Sequence, residues 1–155
     1  MTASPILIID AVPDAESQMA PAVRGSAVDV LARTLWGEAR GEPVRGLEAV
    51  AAVVMNRVRR GGWWGHDVAS VCTKPSQFSC WNAGDPNRAK LERVDENDRM
   101  FRVCVRIARR AVGGSVRDPT HGATHYHVRG TVPAWAHGRE PSAEIGNHLF
   151  YNDVA

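Results

Sequence analysis

The chain has 155 residues, 44% hydrophobic and 23% charged, ordinary values for a chain that buries a core without disulfide or metal staples. These values exclude globally disordered, collagen-like and coiled-coil classes. No apolar run approaches the ~18 residues of a membrane-spanning helix, so no stable membrane insertion is expected. The balance of 19 basic against 17 acidic residues gives a net charge of +2, too small to point to a nucleic-acid partner.

Residues 1–25 carry Pro5, Pro13 and Pro21 and little periodicity. They read as a loosely ordered arm with one candidate strand over Ile6 to Ile9. That apolar run is too short for the hydrophobic region of a signal peptide and has no basic flank. The expectation is synthesis in the bacterial cytoplasm without Sec export, so that any target outside the cytoplasm needs another delivery agent. Residues 26–155 read as a single domain.

Ser26 is placed to cap a helix over 27–40. Its apolar stripe is Val28, Leu31, Ala32, Leu35 and Trp36. Glu38 follows Leu35 by three positions and Leu31 by seven, so it falls on the buried face. Gly41 is expected to end the helix in a left-handed conformation, and Pro43 suits the start of the next one. That second helix repeats Leu47, Val50, Ala51, Val54, Met55 and Val58 until Gly61-Gly62. The stretch 61–94 is loop-rich, with a short helix after Asp67 and the unusual string PSQFSCWN over 75–82. A third helix is predicted over 95–112, with Met100, Cys104, Ile107, Ala108 and Ala111 inward. Arg99, Arg102, Arg106, Arg109 and Arg110 face outward as a solvated surface. Thr124 to Val128 and His148 to Tyr151 are the strand candidates. The predicted fold class is α+β, mainly α: three principal helices and a small antiparallel β element.

An ionised carboxylate on an apolar face costs several kcal/mol unless paired. Burial of Glu38 beside Leu35 and aromatic neighbours would raise its pKa, as a general acid for glycosidic cleavage requires. The alternative is a buried ion pair with Arg33, Arg40 or Arg57. A second carboxylate is not evident. Glu42 suits a helix start, Glu48 suits a solvated face, and Asp118, Glu144 and Asp153 have no supporting pattern. His121, His125 and His127 share strand parity, and several imidazoles on one face can bind zinc. The remaining ligands would come from Asp118, Cys72, Cys80 or His137. Phe78, Trp81, Tyr126, Trp135 and Tyr151 lie in loops or strands, where their rings either stack on sugars or close the core. Trp36 reads as core. Cys104 reads as core too, and Cys72 and Cys80 are either free thiols or a local disulfide.

The strings ARTLWGEARGEPVRGLEAVAAVVMNRV (32–58), PSQFSCWN (75–82), DPTHGATHYH (118–127) and IGNHLFY (145–151) resemble the SleB-type cell wall hydrolases. This family comprises spore-cortex-lytic enzymes and related phage and prophage lysis proteins. The resemblance covers about residues 27–151. It implies a lysozyme-like helical fold and cleavage of the β-1,4 bond between N-acetylmuramic acid and N-acetylglucosamine in peptidoglycan glycan strands. It implies one catalytic glutamate, Glu38. No cofactor is expected, and the His-rich ATHYH string leaves metal dependence open. The resemblance places Gln77, Phe78, Ser79, Thr124, His125 and Tyr126 along the glycan cleft. The spore enzymes carry an export signal and a separate peptidoglycan-binding region. Their absence from these residues points to a phage-type endolysin, delivered through a holin-type lesion or aboard a virion. Two other readings stay open: a zinc-dependent peptidoglycan amidase or peptidase built on His121, His125 and His127, and a non-catalytic wall-binding virion module.

Overall fold

The computed structural model describes residues 20–155. The candidate strand at Ile6 to Ile9 and most of the expected arm lie outside the described residues. Residues 20–25 are docked rather than loose: the Ala22 N–H donates to Glu96 Oε1 at 3.2 Å and Arg24 Nη2 to the Glu92 carbonyl at 2.6 Å.

Ser26 caps helix α1, Ala27–Ala39, by accepting from the Asp29 N–H at 3.2 Å. Gly41 does not take the expected left-handed conformation. The helix closes at Arg40, still right-handed, and the Glu42 N–H bonds back to the Ala39 carbonyl. Pro43 then supplies the extended N-cap of helix α2, Val44–Arg60. Gly61, at φ +61°, ends α2, a conformation that glycine adopts without a Cβ penalty. Asp67 and Ser70 form a reciprocal capping box on the short helix α3, Val68–Thr73.

Helix α4, Pro86–Arg93, replaces part of the expected loop. Asp85 caps it and Pro86 occupies its first turn, but Leu91 alone is buried, so no apolar stripe announced it. Helix α5, Arg99–Val112, starts after the predicted boundary because Asp98, not Asp95, accepts the capping bond from Phe101. Its buried face is centred on Phe101, Cys104, Val105, Ile107, Ala108 and Ala111, with Met100 only half-buried.

The sheet is three-stranded and antiparallel, in the order β1-β3-β2: β1 is His125–Val128, β2 Ala143–Ile145 and β3 His148–Tyr151. Strand β2 was absent from the sequence reading. Its three residues are too few for alternation to show, and pairing with β3 holds them.

The main core joins α1, α2, α3 and α5 with Leu91 of α4, and Leu31, Leu35, Leu47, Val50, Leu91, Phe101 and Ile107 lie at its centre. A second cluster, Ala49, Val53, Ala123, Ile145 and Phe150, fastens the inner face of the sheet to α2. The described residues thus form a mainly helical α+β fold with its sheet packed on α2. None of the described helices is long and apolar enough to cross a membrane.

Candidate active site

Glu38 sits in the last turn of α1, half-buried, facing two other segments. Its Oε1 accepts from the Cys80 backbone N–H at 3.4 Å, and its Oε2 accepts from the Tyr126 hydroxyl at 3.3 Å. The ion pairs weighed for it are otherwise engaged. Arg33 Nε donates to Asp29 Oδ1 at 3.0 Å and its Nη1 to the Leu91 and Val94 carbonyls. Arg40 donates to Asn87 Oδ1 at 3.0 Å and lies over the Trp36 ring. Arg57 is close enough to act on Glu38 electrostatically.

Each partner of Glu38 is held in place by identifiable contacts. The Cys80 N–H comes from a 3-10 turn, Ser79–Trp81. Trp81 fixes that turn on α1 by donating its indole N–H to Thr34 Oγ1 at 2.9 Å. Gly37 permits the approach, since a Cβ there would lie 2.9 Å from both Cβ and Sγ of Cys80. Tyr126 is placed from α2. Asn56 Nδ2 donates to the Ala123 carbonyl at 2.9 Å, and Arg57 Nε donates to the Thr124 carbonyl at 2.8 Å. Burial, and secondarily the Glu38 charge, hold the Tyr126 phenol well above its ordinary pKa, so it remains a donor.

Arg57 is buried between rings, 4.1 Å from the Trp64 centroid and 5.1 Å from that of Phe78, and burial lowers its pKa to about 10. It remains cationic at neutral pH. Behind Tyr126, the His148 ring meets the phenol edge-on at 5.0 Å between centroids. His148 Nδ1 lies 3.3 Å from Glu42 Oε1 without hydrogen-bond alignment, and burial lowers the pKa of its imidazole. Both Glu42 oxygens accept from the Asn147 N–H at 3.2 Å. Gly146 takes φ +57° in this turn, a conformation that favours glycine, and a Cβ there would displace the Glu42 carboxylate that holds the Asn147 N–H. Glu42 therefore anchors the β2–β3 turn beyond its role near a helix start.

The expected cleft residues separate into groups. Tyr126 reaches Glu38. Gln77 is half-buried and Ser79 exposed, both in the segment that delivers the Cys80 N–H. Phe78 is only 2% exposed and belongs to the core, so it offers no ring face to a sugar. Thr124 is likewise buried, its hydroxyl against His125 Nδ1 at 2.9 Å. His125 lies on the opposite face of β1 from Tyr126, among rings.

The three-histidine reading is corrected. His121 is exposed in a turn, and the Trp135 ring packs against both His125 and His127. His127 Nε2 is within 2.9 Å of the Tyr151 hydroxyl. Among the described residues no group of three or more His, Cys, Asp or Glu side chains converges as a metal site. Cys72, Cys80 and Cys104 are free and buried, and burial pushes the thiols of Cys72 and Cys104 up to about 12.

The other carboxylates have structural partners. Asp118 accepts from Asn56, Thr120 and Gly122. Glu144 pairs with Arg129 and Asp153 with Arg139. The sequence reading did not assign Arg57, His148 or the Cys80 N–H to the site. His148 was reachable in principle, since strand alternation puts it on the Phe150 face of β3. The Cys80 N–H carries no side-chain signal.

The curated relatives include spore cortex-lytic enzymes. That of Halalkalibacterium halodurans is 31% identical over 128 residues, covering 81% of this chain and 34% of the relative. That of Bacillus subtilis is 31% identical over 128 residues, covering 79% of this chain and 36% of the relative. The chain therefore spans about a third of the length of these relatives. Among solved structures, the catalytic domain of the Bacillus cereus SleB protein superposes with a TM-score of 0.64 at 28% identity, covering 81% of this chain and 88% of that one. The catalytic domain of a germination-specific lytic transglycosylase, SleB from Bacillus anthracis, gives 0.64 at 25% identity, covering 84% and 99%. The cell wall hydrolase family profile matches residues 41–151, which takes in Glu42, Arg57, Tyr126 and His148 and begins just beyond Glu38. The chain belongs to the cell wall hydrolase family.

Proposed function

We propose that this chain is a peptidoglycan glycosidase that cleaves the β-1,4 bond between N-acetylmuramic acid and N-acetylglucosamine, with Glu38 as its general acid and base. The observation that carries the proposal is the two-sided grip on Glu38 by the Cys80 N–H and the Tyr126 hydroxyl. The two donors come from separate segments and fix the orientation of the carboxyl group, one hydrogen bond to each oxygen, so the proton it exchanges is presented in a set direction. Glu38 protonates the glycosidic oxygen, the C1–O bond breaks, and the muramoyl ring takes on oxocarbenium character. The Glu38 carboxylate then accepts the proton of the C6 hydroxyl, whose oxygen bonds to C1 and closes a 1,6-anhydro ring. This cycle returns the acid and consumes no water, so it needs one carboxyl group. Entry of water in place of the C6 hydroxyl would give the muramidase product from the same residue.

The test is digestion of purified peptidoglycan by the wild type and Glu38→Gln, with mass analysis of the released muropeptides. The expected result is anhydromuramoyl products from the wild type and a fall in rate of about 10²–10⁴-fold in the variant. Free stem peptides, or equal activity in the variant, would overturn the assignment. Phage-type delivery, through a holin-type lesion or aboard a virion, belongs to the same proposal. It is tested by host lysis on cytoplasmic expression with and without a holin.

A further inference from the structure

Opposite the Glu38 face of the sheet lies a continuous series of rings. Strand pairing sets His125 directly against Tyr151, with His127 two positions along on the same face. Trp135 arrives from the 3-10 turn Ala134–Ala136 and touches all three, at 5.1, 5.2 and 5.7 Å between centroids. Trp64 extends the series from the turn Gly62–Trp64, 5.2 Å from His125, and Trp63 ends it 4.9 Å further on. Four separate chain segments thus supply one row of rings.

The row is not simply a core. Tyr151 is buried, but Trp64, His125, His127 and Trp135 are only partly covered, and Trp63 is 64% exposed. Large rings left open to water in one connected patch mark a binding surface. Most of these rings carry a polar edge, which suits a ligand with apolar faces and hydroxyl rims. The rim of the row is cationic. Lys74 Nζ lies 4.4 Å over Trp63, while the buried Arg57 lies 4.1 Å over Trp64 beneath the row. Arg60 and Arg139 are near His125, Arg139 also pairing with Asp153 at 3.5 Å. Burial first, then the charges of Arg57, Arg60 and Arg139, push His125 down to about 4, so the centre of the row is neutral at neutral pH. Arg57 joins the row to the candidate site. It lies between Trp64 and Phe78, bonds the residue preceding His125, and acts electrostatically on Glu38.

We propose that this ring row is a second glycan-binding site, a platform on which an extended strand of N-acetylated aminosugars with acidic substituents stacks beyond the bond being cleaved. The pyranose faces would lie on Trp63, Trp64 and Trp135, and the substituent carboxylates would meet the cationic rim. The choice of ligand rests on the glycosidase reading, whereas the existence of a platform rests on the rings.

The experiment measures co-sedimentation with insoluble peptidoglycan, and binding of β-1,4-linked N-acetylglucosamine oligomers by titration, in the Glu38→Gln background. Trp63→Ala and Trp135→Ala are each expected to weaken binding about 3–10-fold, and Trp135→Phe to restore most of the loss. With Glu38 intact, the KM penalty of Trp63→Ala is expected to grow with strand length. Undiminished binding in both alanine variants, or one penalty at every length, would overturn the platform. So would binding of a single-stranded oligonucleotide with the same dependence on Trp63 and Trp135, since bases also stack on rings. Failure of the two readings is distinguishable. Full activity of Glu38→Gln with glycan lost from the ring variants sinks the glycosidase and keeps the platform. An inert Glu38→Gln with unaltered ring variants does the reverse.

Discussion

Tyr126 brings one hydroxyl to one oxygen of Glu38, and that hydroxyl can be removed without removing the ring. The ring keeps its packing against His148 and Phe150 in a phenylalanine variant, so stability should change little. A hydrogen bond to a charged group contributes about 1.5–3 kcal/mol, so Tyr126→Phe should lower kcat by roughly 10–150-fold. Mutant kinetics on purified peptidoglycan, beside a thermal melt, check both parts. A parallel fall in Tm and kcat would make Tyr126 a packing residue alone. Helical spacing placed Glu38 inward, and the structure leaves it half-buried with two donors. Spacing says which face a side chain takes, but not which groups from distant segments meet it there.

At the scale of elements, the candidate site depends on how closely α1 and the Ser79–Trp81 turn approach. Gly37 sets that distance, because a methyl group would meet Cys80 at 2.9 Å and Leu91 at 3.1 Å. Gly37→Ala gains helix propensity but overpacks the contact, at a cost of about 1–3 kcal/mol. The turn must shift outward, taking the Cys80 N–H away from Glu38. Lower Tm with a larger loss of kcat than of substrate binding is the expected outcome, read by calorimetry and steady-state kinetics. Unchanged activity would show that the Cys80 N–H contributes nothing to Glu38. The caps at Ser26, Asp67 and the glycine stop at Gly61 were legible because their chemistry is local. Helix α4 and strand β2 were not, because contacts from other segments stabilise them and their own periodicity is short. The shift in the α5 start has the same origin: Asp95 and Asp98 are both acceptable caps, and packing of Phe101 selects the second.

For the whole molecule, acid is the informative perturbation. Burial holds His125 and His148 below the ordinary imidazole pKa in the folded chain. The unfolded chain therefore binds these protons first as pH falls, and stability is lost from about pH 6.5 downward. For His125 the loss is complete near pH 4, the folded value. Asp118 acts in an adjacent window. Burial raises its pKa, but donors from Thr120, Asn56 and Gly122 outweigh that and hold it below the ordinary carboxyl value. Its contribution is present above the unfolded pKa near 3.9 and lost as pH falls through the folded value. Thermal melts from pH 7 to pH 3 should show Tm falling in the first window, with a shallower slope for His125→Phe. An equal slope in that variant would remove His125 as a source of the acid sensitivity.

The amphipathic helices, most of their caps, two of the three strands and the inward face of Glu38 were legible in the residues, because side-chain period and capping chemistry act within a few residues. The quoted strings also carried the family resemblance. Packing between distant segments settled what Glu38 touches, that Phe78 and Thr124 are buried, that the three histidines do not converge, and that rings from four segments form one row. Those facts depend on backbone groups and side chains far apart in the chain, whose meeting is set by packing of the sheet on α2 and of the Ser79–Trp81 turn on α1.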